Sequence, residues 1–246
     1  DFVTFQDEKY YRISNYDLMP DFFMTLVSES DHWMFISSNG SLTAGRKDRD
    51  NALFPYYSVD KIHDYRGITG NKTRVLVEKD GKTYLWKPFS KDHEGIYNIQ
   101  RNLYKNIYGN KIRFEEVNPD LGIGFQYSWT ISEQFGFVKE SIITNLSKDT
   151  VKLNILDGIA NILPGGIDYH FQNEYSNLLD AYKKSERLEN TTLGLFMLSS
   201  VPVDRAEPSE ALITTTVWST GMGEGSQILI SDKQLDSFTS GSPVQS

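Results

Sequence analysis

Alternation of apolar and polar residues, cut by turn residues at short intervals, constrains this chain more than any other feature. The clearest case is a hairpin. Residues 73–78 (Thr-Arg-Val-Leu-Val-Glu) and 82–87 (Lys-Thr-Tyr-Leu-Trp-Lys) flank Lys79-Asp80-Gly81. Asp-Gly between alternating runs signals a tight turn, because glycine takes a positive φ without steric cost. A meander follows. Run 102–108 ends at Gly109-Asn110 and run 111–117 at Asn118-Pro119-Asp120, and then come 122–131, 135–146 and 151–159. Strand and turn signals spaced about 8–12 residues apart are the pattern of sandwiches and barrels. Lys111-Ile-Arg-Phe-Glu115 alternates cleanly and predicts a strand with one wet face. Further strand candidates are 193–200, 212–219 and 227–230. One helix is predicted over 173–187. Leu178, Leu179 and Tyr182 share a face there, and Lys183-Lys184 suit the C-terminal end of the helix dipole. The reading is one all-β domain over residues 1–236, with roughly 14–18 strands in two packed sheets and one or two short helices. Residues 237–246, rich in Ser and Gly, read as a linker or tail toward a further region.

Composition agrees with a packed β domain. Of 246 residues, 39% are hydrophobic and 24% charged, which argues against a disordered chain. Fourteen Tyr, 14 Phe and 4 Trp favour pleated surfaces. The net charge of −8, without a Lys/Arg cluster, lacks the footprint of a nucleic-acid partner. No apolar run reaches the ~18 residues of a membrane span, so no membrane partner is expected. With no cysteine, disulfides and thiolate metal sites are excluded. The compartment stays open, since the periplasm and the cytoplasm of a bacterium both fit. The start at Asp1 rather than Met reads as a processed or trimmed chain.

Three stretches carry a resemblance. They are Ile36-Ser-Ser-Asn-Gly-Ser-Leu-Thr-Ala-Gly-Arg46 continuing through Asp50-Asn-Ala-Leu-Phe-Pro-Tyr-Tyr57 to Val59-Asp-Lys61, then Phe137-Val-Lys-Glu-Ser-Ile-Ile-Thr-Asn-Leu-Ser147, and residues 151–164. Together they resemble the N-terminal region of cellobiose-phosphorylase-like proteins, glycoside hydrolase family 94, formerly glycosyltransferase family 36. The resemblance runs over roughly residues 20–230 as a pattern, without a catalytic signature. It implies a large two-sheet β-supersandwich of the galactose-mutarotase type. It also implies a larger glycoside phosphorylase- or hydrolase-like parent, whose C-terminal helical barrel carries the general acid. The expected role is then to shape a sugar site or a dimer interface without doing the chemistry. The expected partners are a carbohydrate, that barrel domain and a second copy of the chain, with no cofactor.

Six residues are the ligand-binding candidates: Asn39, Arg46, Tyr56, Tyr57, Trp129 and His170. Asn39 and Arg46 offer amide and guanidinium groups for sugar hydroxyls beside flexible glycines. The plain alternative is a hairpin turn followed by a solvated charge run. Tyr56, Tyr57 and Trp129 offer ring faces for the C–H face of a sugar, against ordinary core packing. His170, in a Gly/Pro-rich loop before the predicted helix, is the histidine best placed for acid–base work, against a surface or capping role. Asp31-His32, His63-Asp64 and Asp92-His93 are neighbours that point apart on a strand, so no metal site is expected. Glu115 and Glu116 face opposite sides of a strand, whereas Asp157 and Asp168 flank the Pro164-Gly-Gly166 turn. That turn lacks the Gly-Lys-Ser/Thr ending of a phosphate loop. Asn-x-Ser/Thr triplets begin at Asn39, Asn71, Asn145 and Asn190.

Two other functions stay open. An aldose-1-epimerase-like enzyme needs a His and a Glu facing one another in a cleft. A ligand-free interaction module needs an exposed apolar patch.

Overall fold

From the N-terminus onward, alternation turns into antiparallel ladders. Strand β1 (Phe2–Phe5) pairs with β2 (Glu8–Ser14) through a two-residue turn, with Phe5 opposite Glu8. Both central residues, Gln6 (φ 47°) and Asp7 (φ 65°), are left-handed, as a type I′ turn requires. Strand β3 (Phe23–Leu26) pairs with β4 (His32–Ser37). After β5 (Leu42–Arg46) come β6 (Gly70–Lys79) and β7 (Lys82–Trp86). These two form the predicted hairpin, with Asp80 and Gly81 at positive φ and Lys79 opposite Lys82. The meander is β8 (Gln100–Asn106), β9 (Lys111–Asn118), β10 (Ile123–Ser132), β11 (Gly136–Asn145) and β12 (Lys152–Ala160).

This computed structural model describes residues 1–58, 60–174, 176–202, 207 and 209–244. Within them the chain is all-β, with fifteen strands and three short α-helices where one or two were expected. It divides into two compact units, Asp1–Leu42 with Tyr57–Ala160, and Thr43–Tyr56 with Asn161–Ser246.

The first unit is a sandwich. One sheet has six strands in the order β1-β2-β8-β9-β10-β11, and another has three in the order β12-β6-β7. Period two sets the inner face. Ile112 and Phe114 of β9, with Phe125, Tyr127 and Trp129 of β10, are almost fully buried, as are Val75, Val77 and Trp86 of the smaller sheet. Each such apolar side chain contributes about 1.5–3 kcal/mol. Rings interlock there: Phe114 stacks on Tyr127 at 4.8 Å, and Phe89 meets Tyr127 edge-on at 5.1 Å.

Two buried charge networks tie this interior together. Glu116, 1% exposed, accepts from Arg101 Nε at 2.7 Å, Trp86 Nε1 at 2.8 Å and the Phe89 amide at 2.7 Å. Lys139 Nζ on β11 bonds both oxygens of Asp157 on β12 at 2.8 Å, and Thr73 Oγ1 on β6 donates to Asp157 Oδ1 at 2.6 Å. Charged ties therefore join the two sheets.

The second unit has a three-stranded sheet, β13 (Lys183–Arg187), β14 (Leu193–Leu198) and β15 (Thr214–Trp218). Its buried apolar residues include Phe54, Leu163, Ile167, Leu179 and Leu198. The helix predicted over 173–187 is corrected. Helix α1 (Tyr169–Glu174) begins earlier, α2 (Ser176–Tyr182) follows, and 183–187 is strand. Only Leu179 of the apolar trio is fully buried, while Leu178 is 48% exposed. From Lys183 the backbone finds a better partner in β14, with Lys184 opposite Met197. Residues 227–230 lie outside the strands, without a ladder partner among the described residues. Helix α3 (Gln234–Thr239) reaches into the stretch read as a tail. The predicted helix includes Tyr175 and the tail includes residues 245 and 246, all outside the described residues.

Candidate functional site

The outer face of the six-stranded sheet is polar, and its groups sort into two kinds. The first kind is gathered around two carboxylates. Glu115 accepts from Tyr104 OH at 2.6 Å, Asn102 Nδ2 at 2.7 Å and Gln126 Nε2. Glu8 accepts from Lys111 Nζ at 2.8 Å, Asn106 Nδ2 at 2.7 Å and Tyr10 OH at 3.0 Å. The Lys111 hydrogen bond leads in holding the Glu8 carboxyl below its usual pKa. Burial, then the bond to Glu8, pushes the Tyr10 phenol up to about 12. Tyr104 is raised by burial first and then by Glu115.

The second kind is a row of three. Ser128 on β10 lies opposite Arg113 of β9 on one side and Glu140 of β11 on the other. All three line a pocket of about 170 Å3, walled also by Phe5, Glu8 and Tyr10. The Arg113 guanidinium lies over the Phe5 ring at 4.7 Å, a cation-π contact. Among the described residues, Arg113 and Glu140 have no ion-pair partner within 4.0 Å, and none of the three side chains is hydrogen-bonded. Ser128 is only 8% exposed. Its hydroxyl is not among the buried polar atoms that lack a partner, so it meets the pocket rather than the sealed interior. The row therefore presents donors at Arg113, both functions at Ser128 and an acceptor at Glu140 to whatever enters the pocket.

Local sequence explains the positions. The 111–115 run puts Lys111, Arg113 and Glu115 on one face and Ile112 and Phe114 on the other, as the burial alternation of β9 confirms. Gln126, Ser128 and Thr130 share that face on β10 by the same period.

The six sequence-predicted residues lie elsewhere, and none lines this pocket. Asn39 is 8% exposed and spent on structure. It donates to Asp21 Oδ2 at 2.9 Å and to the His63 carbonyl at 3.0 Å, and accepts from Ser41 Oγ at 2.8 Å. Tyr57 is stacked on Tyr65 at 3.4 Å. Trp129 has no exposed surface and packs in the core. Arg46 is the exposed end of β5. Tyr56 joins α1 in the second unit. Its amide donates to Gln172 Oε1 at 2.9 Å, Gln172 Nε2 donates back to its carbonyl at 3.0 Å, and its ring meets Tyr169 edge-on. His170 is exposed and pairs with Glu174 one turn along α1 at 3.3 Å. Among the described residues, no group of three or more His, Asp or Glu is placed to hold a metal ion. No helix among them is long and apolar enough to cross a membrane.

The sequence reading missed Arg113, Ser128 and Glu140 as a set. The available signal was the clean alternation at 111–115, which assigns Arg113 to the wet face.

No protein-family model matches the chain, and no curated protein matches it.

Proposed function

We propose that this chain is a carbohydrate-binding domain that holds its sugar in the Arg113–Ser128–Glu140 pocket and does not itself cleave or transfer it. It serves a larger glycoside phosphorylase- or hydrolase-like protein, as the family resemblance implies. One observation carries the reading: three polar side chains in register on neighbouring strands, none of them hydrogen-bonded or ion-paired within the protein among the described residues, in a pocket walled by Phe5 and Tyr10. A sugar hydroxyl donates and accepts at once, so it suits a row whose ends differ in that respect.

The pocket's carboxylates argue for binding over hydrolysis. Glycoside cleavage needs a protonated carboxyl opposite a second carboxylate. Glu8 is tied by three donors with its pKa lowered, which suits an acceptor and not an acid. Epimerase chemistry would need a histidine, and none of His32, His63, His93 or His170 lines the pocket.

Calorimetric titration of the chain with methyl hexosides tests the reading. Saturable binding is expected, weakened at least about tenfold by Arg113→Met, the scale of a hydrogen bond from a charged group. No heat with any saccharide overturns the carbohydrate reading. Turnover of an aryl glycoside that Glu140→Gln abolishes overturns the non-catalytic part.

A further inference from the structure

We propose that the pocket selects a single, uncharged, terminal sugar residue, with hydroxyls on opposite edges of the ring bridging Arg113 and Glu140 across Ser128. This rests on the carbohydrate reading above and specifies which carbohydrates satisfy it.

Size sets the first limit. At about 170 Å3 the pocket is well below the roughly 300–1,000 Å3 of sites that enclose drug-sized ligands. It takes one ring and leaves any further residues of a glycan in solvent.

Charge sets the second limit. Four ionisable side chains of ordinary charge line the pocket: Glu8, Lys111, Arg113 and Glu140. Lys111 is already spent on Glu8 at 2.8 Å. That leaves one cation and one anion, on the strands either side of β10. A sugar acid gains at Arg113 but brings its carboxylate toward Glu140. An amino sugar gains at Glu140 but brings its ammonium toward Arg113. A neutral ring meets neither repulsion. Its hydroxyl oxygens accept from the guanidinium and its O–H groups donate to the carboxylate.

Geometry sets the third. Neighbouring strands are about 4.8 Å apart, so the row spans about twice that between its outer backbones. Both end side chains line the same pocket. A ring carrying hydroxyls on two edges meets both at once, and Ser128 lies beneath it.

The test is a calorimetric panel on the full chain: methyl hexopyranosides, the matching uronates, the 2-amino sugars and a linear trisaccharide. The neutral hexoside is expected to bind about three- to fivefold more tightly than either charged analogue, the scale of a solvent-exposed charge interaction. Glu140→Gln should remove the penalty against the uronate while leaving the fold intact by circular dichroism. The trisaccharide should bind no more than about threefold more tightly than its terminal residue alone. A charged analogue that binds as well as the neutral one, or an affinity that climbs more than about tenfold with glycan length, overturns this inference and leaves the carbohydrate reading standing. If no saccharide in the panel binds, the carbohydrate reading falls, and this inference with it.

Discussion

Glu115 and Glu116 are joined by one peptide bond and live on opposite faces of the same sheet. Glu116 points inward, where Arg101, Trp86 and the Phe89 amide close around it. Glu115 points outward, where Asn102, Tyr104 and Gln126 hold it. The inner face is sealed, and its polar groups serve the fold. The outer face holds paired carboxylates at Glu8 and Glu115 and opens at Arg113, Ser128 and Glu140. The difference teaches where function can reside. A buried polar group that is fully paired holds a structure together, and one left unpaired beside a pocket is available to a ligand.

The strongest way to break this contrast is Glu116→Ala. It strips the buried Arg101 cation of its close carboxylate, leaving Asp17 at 3.9 Å and the Ser90 carbonyl at 2.8 Å, and the expected loss is about 3–5 kcal/mol in urea unfolding. A loss below that of Glu115→Ala would show that the inner face is not the sealed one. For Glu115→Ala the expectation is about 1–3 kcal/mol, because three donors lose their acceptor on a face that water can reach.

The hairpin turn beside the pocket comes next. Gln6 and Asp7 take left-handed backbone without a glycine. Gln6→Asn with Asp7→Gly is expected to raise stability by about 1 kcal/mol, read as a higher denaturation midpoint. A fall would place a native side-chain role in the turn.

A smaller effect depends on pH. Burial comes first in holding His93 below the ordinary histidine value of 6.5, and Lys87 adds to it. The Lys87 amide donates to His93 Nδ1 at 3.3 Å, which keeps that nitrogen unprotonated, and Asp92 opposes the shift. Because the folded pKa is depressed, the stability this residue contributes is full above 6.5 and is lost as pH falls through the lower folded value. A melting-temperature series from about pH 8 to 5 should show that decline, flattened in His93→Gln. An identical slope in both proteins would assign it to other groups.

The smallest stability effect belongs to the row itself. Arg113→Met, Ser128→Ala and Glu140→Gln remove no hydrogen bond or ion pair within the protein, and only Arg113→Met gives up a ring contact, with Phe5. Each is expected to shift stability by no more than about 0.5 kcal/mol while binding falls. A larger shift would make the row structural after all.

Some of this was legible in the chain. Asp80-Gly81 announced a tight hairpin turn because its glycine is visible in the sequence. The same turn at Gln6-Asp7 was silent, because neither residue advertises a positive φ. Trp129 illustrates the limit for single residues. Its ring suits a sugar or a core equally well, and only the partner strands put it inside. Lys183–Arg187 shows how a neighbouring strand overrides a local preference: charged residues that extend a helix in sequence pair instead with β14.

By itself the sequence determined that the chain would be all-β and which residues of a strand share a face, because a pleated strand alternates with period two whatever surrounds it. It placed Arg113 on the wet face of β9 and Phe114 on the dry one. Only the tertiary structure decided that Ser128 and Glu140 stand beside Arg113. They lie 15 and 27 residues further along the chain, and their meeting depends on the register of two ladders. Register is a property of paired strands, and a one-residue slip would have turned the row to the opposite face.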